Sequence, residues 1–190
     1  MIQTLACWIG AWMLGLSAGW AAEVAGIKIA ETASLDGQEL SLNGAGVRTR
    51  LFVKVYVGAL YLARQASTPA AVFGAEGGKR VSLHLLRDLE AERVAGTLNQ
   101  GLTENHSAQQ LAQLRTRIDE FNAIMNSIGS AKKGEVIDLD HLPGKGTRVS
   151  VQGRVKGIVP GDDFYPALLK VWLGDKPVDD ALKNAMLGGR

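Results

Sequence analysis

Val47-Arg-Thr-Arg-Leu-Phe-Val-Lys-Val-Tyr-Val-Gly-Ala-Leu-Tyr-Leu62 alternates along its whole length. Its odd positions, Val47, Thr49, Leu51, Val53, Val55, Val57, Ala59 and Tyr61, are almost all apolar or β-branched. Its even positions begin Arg48, Arg50, Phe52, Lys54 and Tyr56 before turning to Gly58, Leu60 and Leu62. A side-chain period of two belongs to extended chain and not to a helix. The pattern predicts a long extended stretch with a core face on the odd positions and a face of cations and a phenol on the even ones.

On the N-terminal side the chain stays strand-like. Val24 to Ile29 is punctuated by Gly26, Glu39 to Leu42 follows the turn signal Asp36-Gly37, and Asn43-Gly-Ala-Gly46 reads as a further break. On the C-terminal side Val81 to Leu86 reads as a strand, and the composition turns helical from about Leu89 to Leu102. Leu111, Leu114, Ile118, Phe121, Met125 and Ile128 then recur at helical spacing, with Ser107 and Gln110 as a capping box and Gly129 as a stop. Glu135 to Leu139, Thr147 to Gln152 and Arg154 to Val159 make a meander around Pro143-Gly-Lys-Gly146 and Gly153. Asp162 or Asp163 is placed to cap a helix over Phe164 to Leu173, and a last helix runs from about Val178 to Leu187. Strands, two helices, strands and two helices in that order predict an α+β fold, not a parallel βαβ alternation.

With 190 residues, 46% hydrophobic and 21% charged, the chain matches one globular domain. A net charge of +2, with no basic stripe beyond Lys132-Lys133, argues against nucleic acid as a partner. Met1 to Ala22 contains no Asp, Glu, Lys or Arg, and Leu5 to Trp20 is mostly apolar, shorter than a bilayer span needs. This predicts an export signal over residues 1–21, cut after Ala21, with Gly19 and Ala21 at the small-residue positions. The expected product, residues 22–190, is a periplasmic domain without stable membrane insertion. Cleavage would remove Cys7, the single cysteine, together with Trp8, Trp12 and Trp20, leaving Trp172 and no thiol chemistry.

No nucleophile elbow, phosphate-binding loop, zinc-protease or calcium-loop motif occurs, and Gly44-Ala-Gly46 lacks a third glycine and reads as a turn. His84, His106 and His141 fall on three separate elements without ligand spacing, so neither a metal nor another cofactor is expected. Asp138 and Asp140 share a strand face and read as solvated carboxylates. That leaves Arg48 and Tyr56, whose guanidinium fork and phenol hydroxyl suit a carboxylate. Eight residues of straight strand span about 26 Å, so the two can meet on one small ligand only if the chain turns between them.

Four segments resemble the chalcone isomerase fold family, and within it bacterial exported chalcone isomerase-like proteins. They are Gly44-Ala-Gly-Val-Arg-Thr-Arg50, Phe52 to Leu62, Gly101-Leu-Thr-Glu-Asn105, and Pro160-Gly-Asp-Asp-Phe-Tyr-Pro-Ala-Leu-Leu-Lys-Val-Trp-Leu-Gly174. The resemblance implies an open-faced β-sandwich, a curved antiparallel sheet layered with helices, and a ligand cleft between the layers. Members either close a chalcone to a flavanone or hold a fatty acid by its carboxylate on an arginine and a tyrosine. Carried over by motif, the arginine falls on Arg48 and the asparagine on Asn105. Tyr56 stands where isomerases carry a threonine, as it does in the fatty-acid-binding relatives, and Leu98 stands where isomerases carry a tyrosine. Fewer residues separate Arg48 from Tyr56 than in the plant proteins, which makes Arg50 a substitute candidate for Arg48.

The expectation is a periplasmic binding protein for a fatty-acid-like or other apolar carboxylate, without chalcone isomerase activity, with Arg48, Tyr56, Asn105 and Arg50 at the ligand. An intramolecular lyase of the chalcone isomerase type and an envelope protein-interaction module are the alternatives. No protein partner can be named from the sequence.

Overall fold

A computed structural model describes residues 22–189; the expected export segment 1–21 lies outside the described residues. A small hairpin pairs β1 (Ala22–Val24) with β2 (Ile27–Ile29). Then follow β3 (Thr32–Leu35), β4 (Gln38–Arg50), β5 (Val53–Leu62), α1 (Pro69–Gly74) and β6 (Lys79–Leu85). The middle of the chain forms β7 (Leu89–Glu90), α2 (Ala91–Asn105), α3 (Ala108–Gln113), α4 (Arg115–Ile128) and β8 (Ser130–Ala131). It finishes with β9 (Val136–Leu142), β10 (Gly146–Val151), β11 (Arg154–Pro160), α5 (Phe164–Leu173) and α6 (Asp180–Met186). Seven strands make one curled antiparallel sheet in the order β11-β10-β9-β6-β5-β4-β3, with the helices layered against it. The expected α+β open-faced sandwich is what forms. Among the described residues no helix is long and apolar enough to cross a membrane.

The long alternating stretch is not one strand. It folds back at Leu51-Phe52, where both residues hold positive φ, 47° and 66°, so Arg50 pairs with Val53 and Arg48 with Tyr56. A two-residue turn with both φ positive normally takes Asn-Gly, and a branched or aromatic side chain there costs about 1–2 kcal/mol per residue. No turn signal marks it in the sequence.

The face assignment is also reversed along β5 from Tyr56 onward. Tyr56, Leu60 and Leu62, on even positions, point into the main core with α2, α4, α5 and α6, while Val57, Ala59 and Tyr61 pack a second cluster with Ile29, Leu35 and Leu40. Both faces are covered, so both sets of positions are apolar and alternation alone cannot tell which meets the helices.

Nor is Gly44-Ala-Gly46 a turn. β4 runs through it with a register shift between Leu42 and Gly44, and a Cβ on Gly44 would collide with the backbone of α6 at the Ala185 carbonyl. A Cβ on Gly46 would strike the Ala185 side chain, and one on Gly58 would press on Leu182. The three glycines form a shallow bed on which α6 lies against the sheet. Asn43 fixes that contact, its Nδ2 donating to the carbonyls of Met186 (2.7 Å) and Ala66 (2.9 Å).

The expected long helix divides into α3 and α4 at Leu114, whose backbone stays right-handed (φ −89°, ψ 0°), so the apolar seam continues across the joint. Its capping box at Ser107 and Gln110 forms as expected. Neither Asp162 nor Asp163 caps α5 through its side chain; Asp163 pairs with Arg117 and Asp162 accepts from the Gly144 amide. Asp140 is fully buried, not solvated, because its strand neighbours on both sides are arginines.

Candidate functional site

The turn at Leu51-Phe52 brings Arg48 and Tyr56 side by side across the β4–β5 ladder, with the guanidinium carbon 5.7 Å from the phenol ring centre. The condition for the two to share a small ligand is therefore met by a hairpin. Arg48 is only 9% exposed, and its Nε is buried with no hydrogen-bond partner among the described residues. No carboxylate among the described residues lies within ion-pair distance of it; Asp179, the neighbouring acid, is committed to the amides of Thr49 (3.1 Å) and Leu182 (3.0 Å). A buried guanidinium with an empty donor is a costly arrangement unless a ligand supplies the acceptor.

Tyr56 is buried, and its phenol oxygen accepts from Nε1 of Trp172 at 3.0 Å. Burial, opposed by the Arg48 charge and the Trp172 bond, pushes its pKa up to about 12. The phenol is thus neutral, and its own hydrogen has no acceptor among the described residues. Trp172 sits one hydrogen bond behind the cleft, fully buried on α5, and does not line it.

Both residues open into a cleft of about 830 Å³ between the β4–β5 hairpin and α2. Val55, Leu83, Val94 and Leu98 give it an apolar lining. Arg50 reaches it at the exposed end of β4. Arg87 and Arg93, with Asp88 and Glu90, also line it, and sequence reasoning did not anticipate them. The signal was the charged run Arg87-Asp-Leu-Glu-Ala-Glu-Arg93 at the start of α2, which could be tied to the cleft only once α2 was known to cross it.

Asn105 is not brought to this cleft. Its Nδ2 donates to the carbonyls of Gly101 (2.9 Å) and Lys176 (2.7 Å), and its Oδ1 accepts from the Lys176 amide (3.0 Å). That staples the end of α2 to the segment after α5. A Cβ on Gly174 would collide with Asn105 Oδ1, so the glycine and the asparagine fit each other on packing grounds alone. Among the described residues no three His, Cys, Asp or Glu side chains gather as a metal site.

No curated protein matches the chain in sequence. The crystal structure of a fatty-acid binding protein from Arabidopsis thaliana superposes with a TM-score of 0.64, covering 85% of this chain and 92% of its own at 16% identity. That likeness shows the fold. A family model described as chalcone isomerase-like matches residues 21–188. The chain belongs to the chalcone isomerase-like family.

Proposed function

We propose that the protein binds a fatty-acid-like or other apolar carboxylate in the cleft, with the head group on Arg48 and Tyr56 and the tail along the apolar lining. The observation that carries this reading is the buried Arg48 Nε, unpartnered beside a phenol that has a hydrogen to donate. A carboxylate supplies acceptors to both, and each methylene removed from water contributes about 0.8 kcal/mol. The cleft's volume lies within the range of small-ligand sites, about 300–1,000 Å³. Arg50 serves as a second cation at the mouth. The Arabidopsis relative's description as a fatty-acid binding protein supports the same ligand class.

Calorimetric titration with a long-chain acid and its matched methyl ester tests the reading. The acid should bind more tightly than the ester. Arg48→Ala should weaken the acid by about 1.5–3 kcal/mol, the worth of a hydrogen bond to a charged group, and Tyr56→Phe by about 0.5–1.5 kcal/mol. Equal affinities for both ligands across the three proteins would remove the head-group site.

Chemistry is not part of the proposal. Leu98 lines the cleft at the position that the family resemblance gives to the isomerases' phenol, and a hydrocarbon moves no proton. A positioned acid or base contributes about 10²- to 10⁴-fold, so an added chalcone should close at its spontaneous rate. Absorbance decay clearly faster with protein, and slowed by Arg48→Ala, would promote the lyase reading instead. We place the binding step in the periplasm, on the charge-free apolar run at the N-terminus. N-terminal sequencing of the native protein should return Ala22 first; an intact Met1 would contradict it.

A further inference from the structure

At the open end of the cleft the β4–β5 turn holds Leu51 and Phe52 in solvent, 84% and 101% exposed. Each adopts a positive φ that a large side chain ordinarily avoids. The pair thus lowers both backbone stability and solubility, and it is almost wholly exposed, with only Leu51 touching the cleft rim, so burial gives no account of it.

The surroundings are cationic. Arg50, Arg87 and Arg93 line the mouth beside Leu51 and Val53, and Lys54 is exposed on the same hairpin. Of the two acids at the mouth, Asp88 is already held by Lys132 Nζ (3.3 Å) and the Lys133 amide (2.9 Å), which leaves Glu90. An apolar projection ringed by net positive charge matches an anionic lipid surface, where apolar side chains enter the headgroup boundary and cations meet phosphates.

We propose that the Leu51-Phe52 turn is a docking element for an anionic phospholipid leaflet, seated with both side chains in the leaflet and the arginines at its phosphates. A second copy of the chain suits the tip less well. A stable interface takes about 800 Å² from each partner, whereas a large side chain offers only about 150–250 Å². A bilayer needs no matching pocket. Docking turns the cleft mouth toward the leaflet, but it requires no ligand in the cleft, and its test is independent of the calorimetry above.

Hydrogen–deuterium exchange of the full chain, read locally across residues 49–55, decides the matter and ignores any attachment through residues 1–21. Vesicles of phosphatidylglycerol mixed with phosphatidylcholine should slow exchange there roughly tenfold, and phosphatidylcholine alone should do much less. Leu51→Asn with Phe52→Gly installs a relaxed turn, so its thermal midpoint should equal or exceed that of the unaltered protein. That variant should need about 100-fold more lipid for the same protection. Unchanged exchange at residues 49–55 with anionic vesicles, or equal protection in the variant, would overturn the proposal. Protection that rises with protein concentration in the absence of lipid would overturn it in favour of self-association.

Discussion

Asp140→Ala is expected to cost about 3–5 kcal/mol of unfolding free energy, the range for breaking a buried ion pair by removing one partner. Asp140 is the hub of an ionic ladder on the sheet face away from the helices. Arg80 on β6 donates to it from Nε (2.6 Å) and NH2 (2.9 Å), and Arg148 on β10 from Nε (3.1 Å) and NH2 (2.9 Å). The carboxylate is fully buried, while the two arginine side chains are 16% and 18% exposed. Removing it leaves two guanidinium groups, on the strands that flank β9 on either side, facing one another across the gap. Asp36 on the turn before β4 still holds Arg148 and Lys145, and Arg80 keeps only the longer pair with Asp138, at 3.9 Å. Asp140→Asn keeps the shape and should recover only a small part of the loss, because the missing quantity is charge. Urea unfolding at unchanged slope measures both variants. A loss under about 1 kcal/mol would mean that the arginines simply swing into water.

The phenols should titrate as one cooperative step, and only as the protein unfolds in alkali. All three tyrosines are buried: burial pushes Tyr56 and Tyr61 up to about 12, and Tyr165 well above the ordinary value. Below the ordinary value of 10.0 both folded and unfolded chains hold their phenol protons, so the stability these groups contribute is complete. Above it the unfolded chain releases protons that the folded chain keeps. Stability then falls by about 1.4 kcal/mol per pH unit for each phenol, up to the folded pKa. Tyrosinate absorbance and far-ultraviolet circular dichroism should therefore change together between pH 10 and 12. Tyrosinate appearing in a simple curve near pH 10 with the fold intact would show that the phenols are wet.

The sequence made some of this legible for physical reasons and hid the rest for equally physical ones. The helix seam from Leu111 to Ile128 was readable because a half-buried helix needs one apolar stripe. The strands were readable because their breaks fall at Asp36-Gly37, Gly153 and Pro143-Gly144. Leu51-Phe52 was not, since neither residue favours a positive φ, and the turn is held by the ladder around it. The bed of Gly44 and Gly46 looked like a turn because a helix from the far end of the chain leaves no local mark. Asp140 looked solvated because Arg80 lies 60 residues away in the chain. Of the site, Arg48 and Tyr56 were identifiable by chemical type, and the sequence even stated what would join them. The Trp172 bond to Tyr56 and the arginines of α2 needed the three-dimensional fold.

The seat of α6 on Gly44, Gly46 and Gly58 bears on how the chain is made. Asn43 reaches Met186 across 143 residues, so β4 waits for a helix made much later before that end of the sheet is covered. Until Leu182 and Met186 arrive, the nascent hairpin carries a bare strip of glycine backbone with no side chains to shield it. Loop-closure entropy opposes this contact until α6 is present to make it. Strand order and helix order thus set a schedule: this end of the sheet stays open until α6 lies down on it.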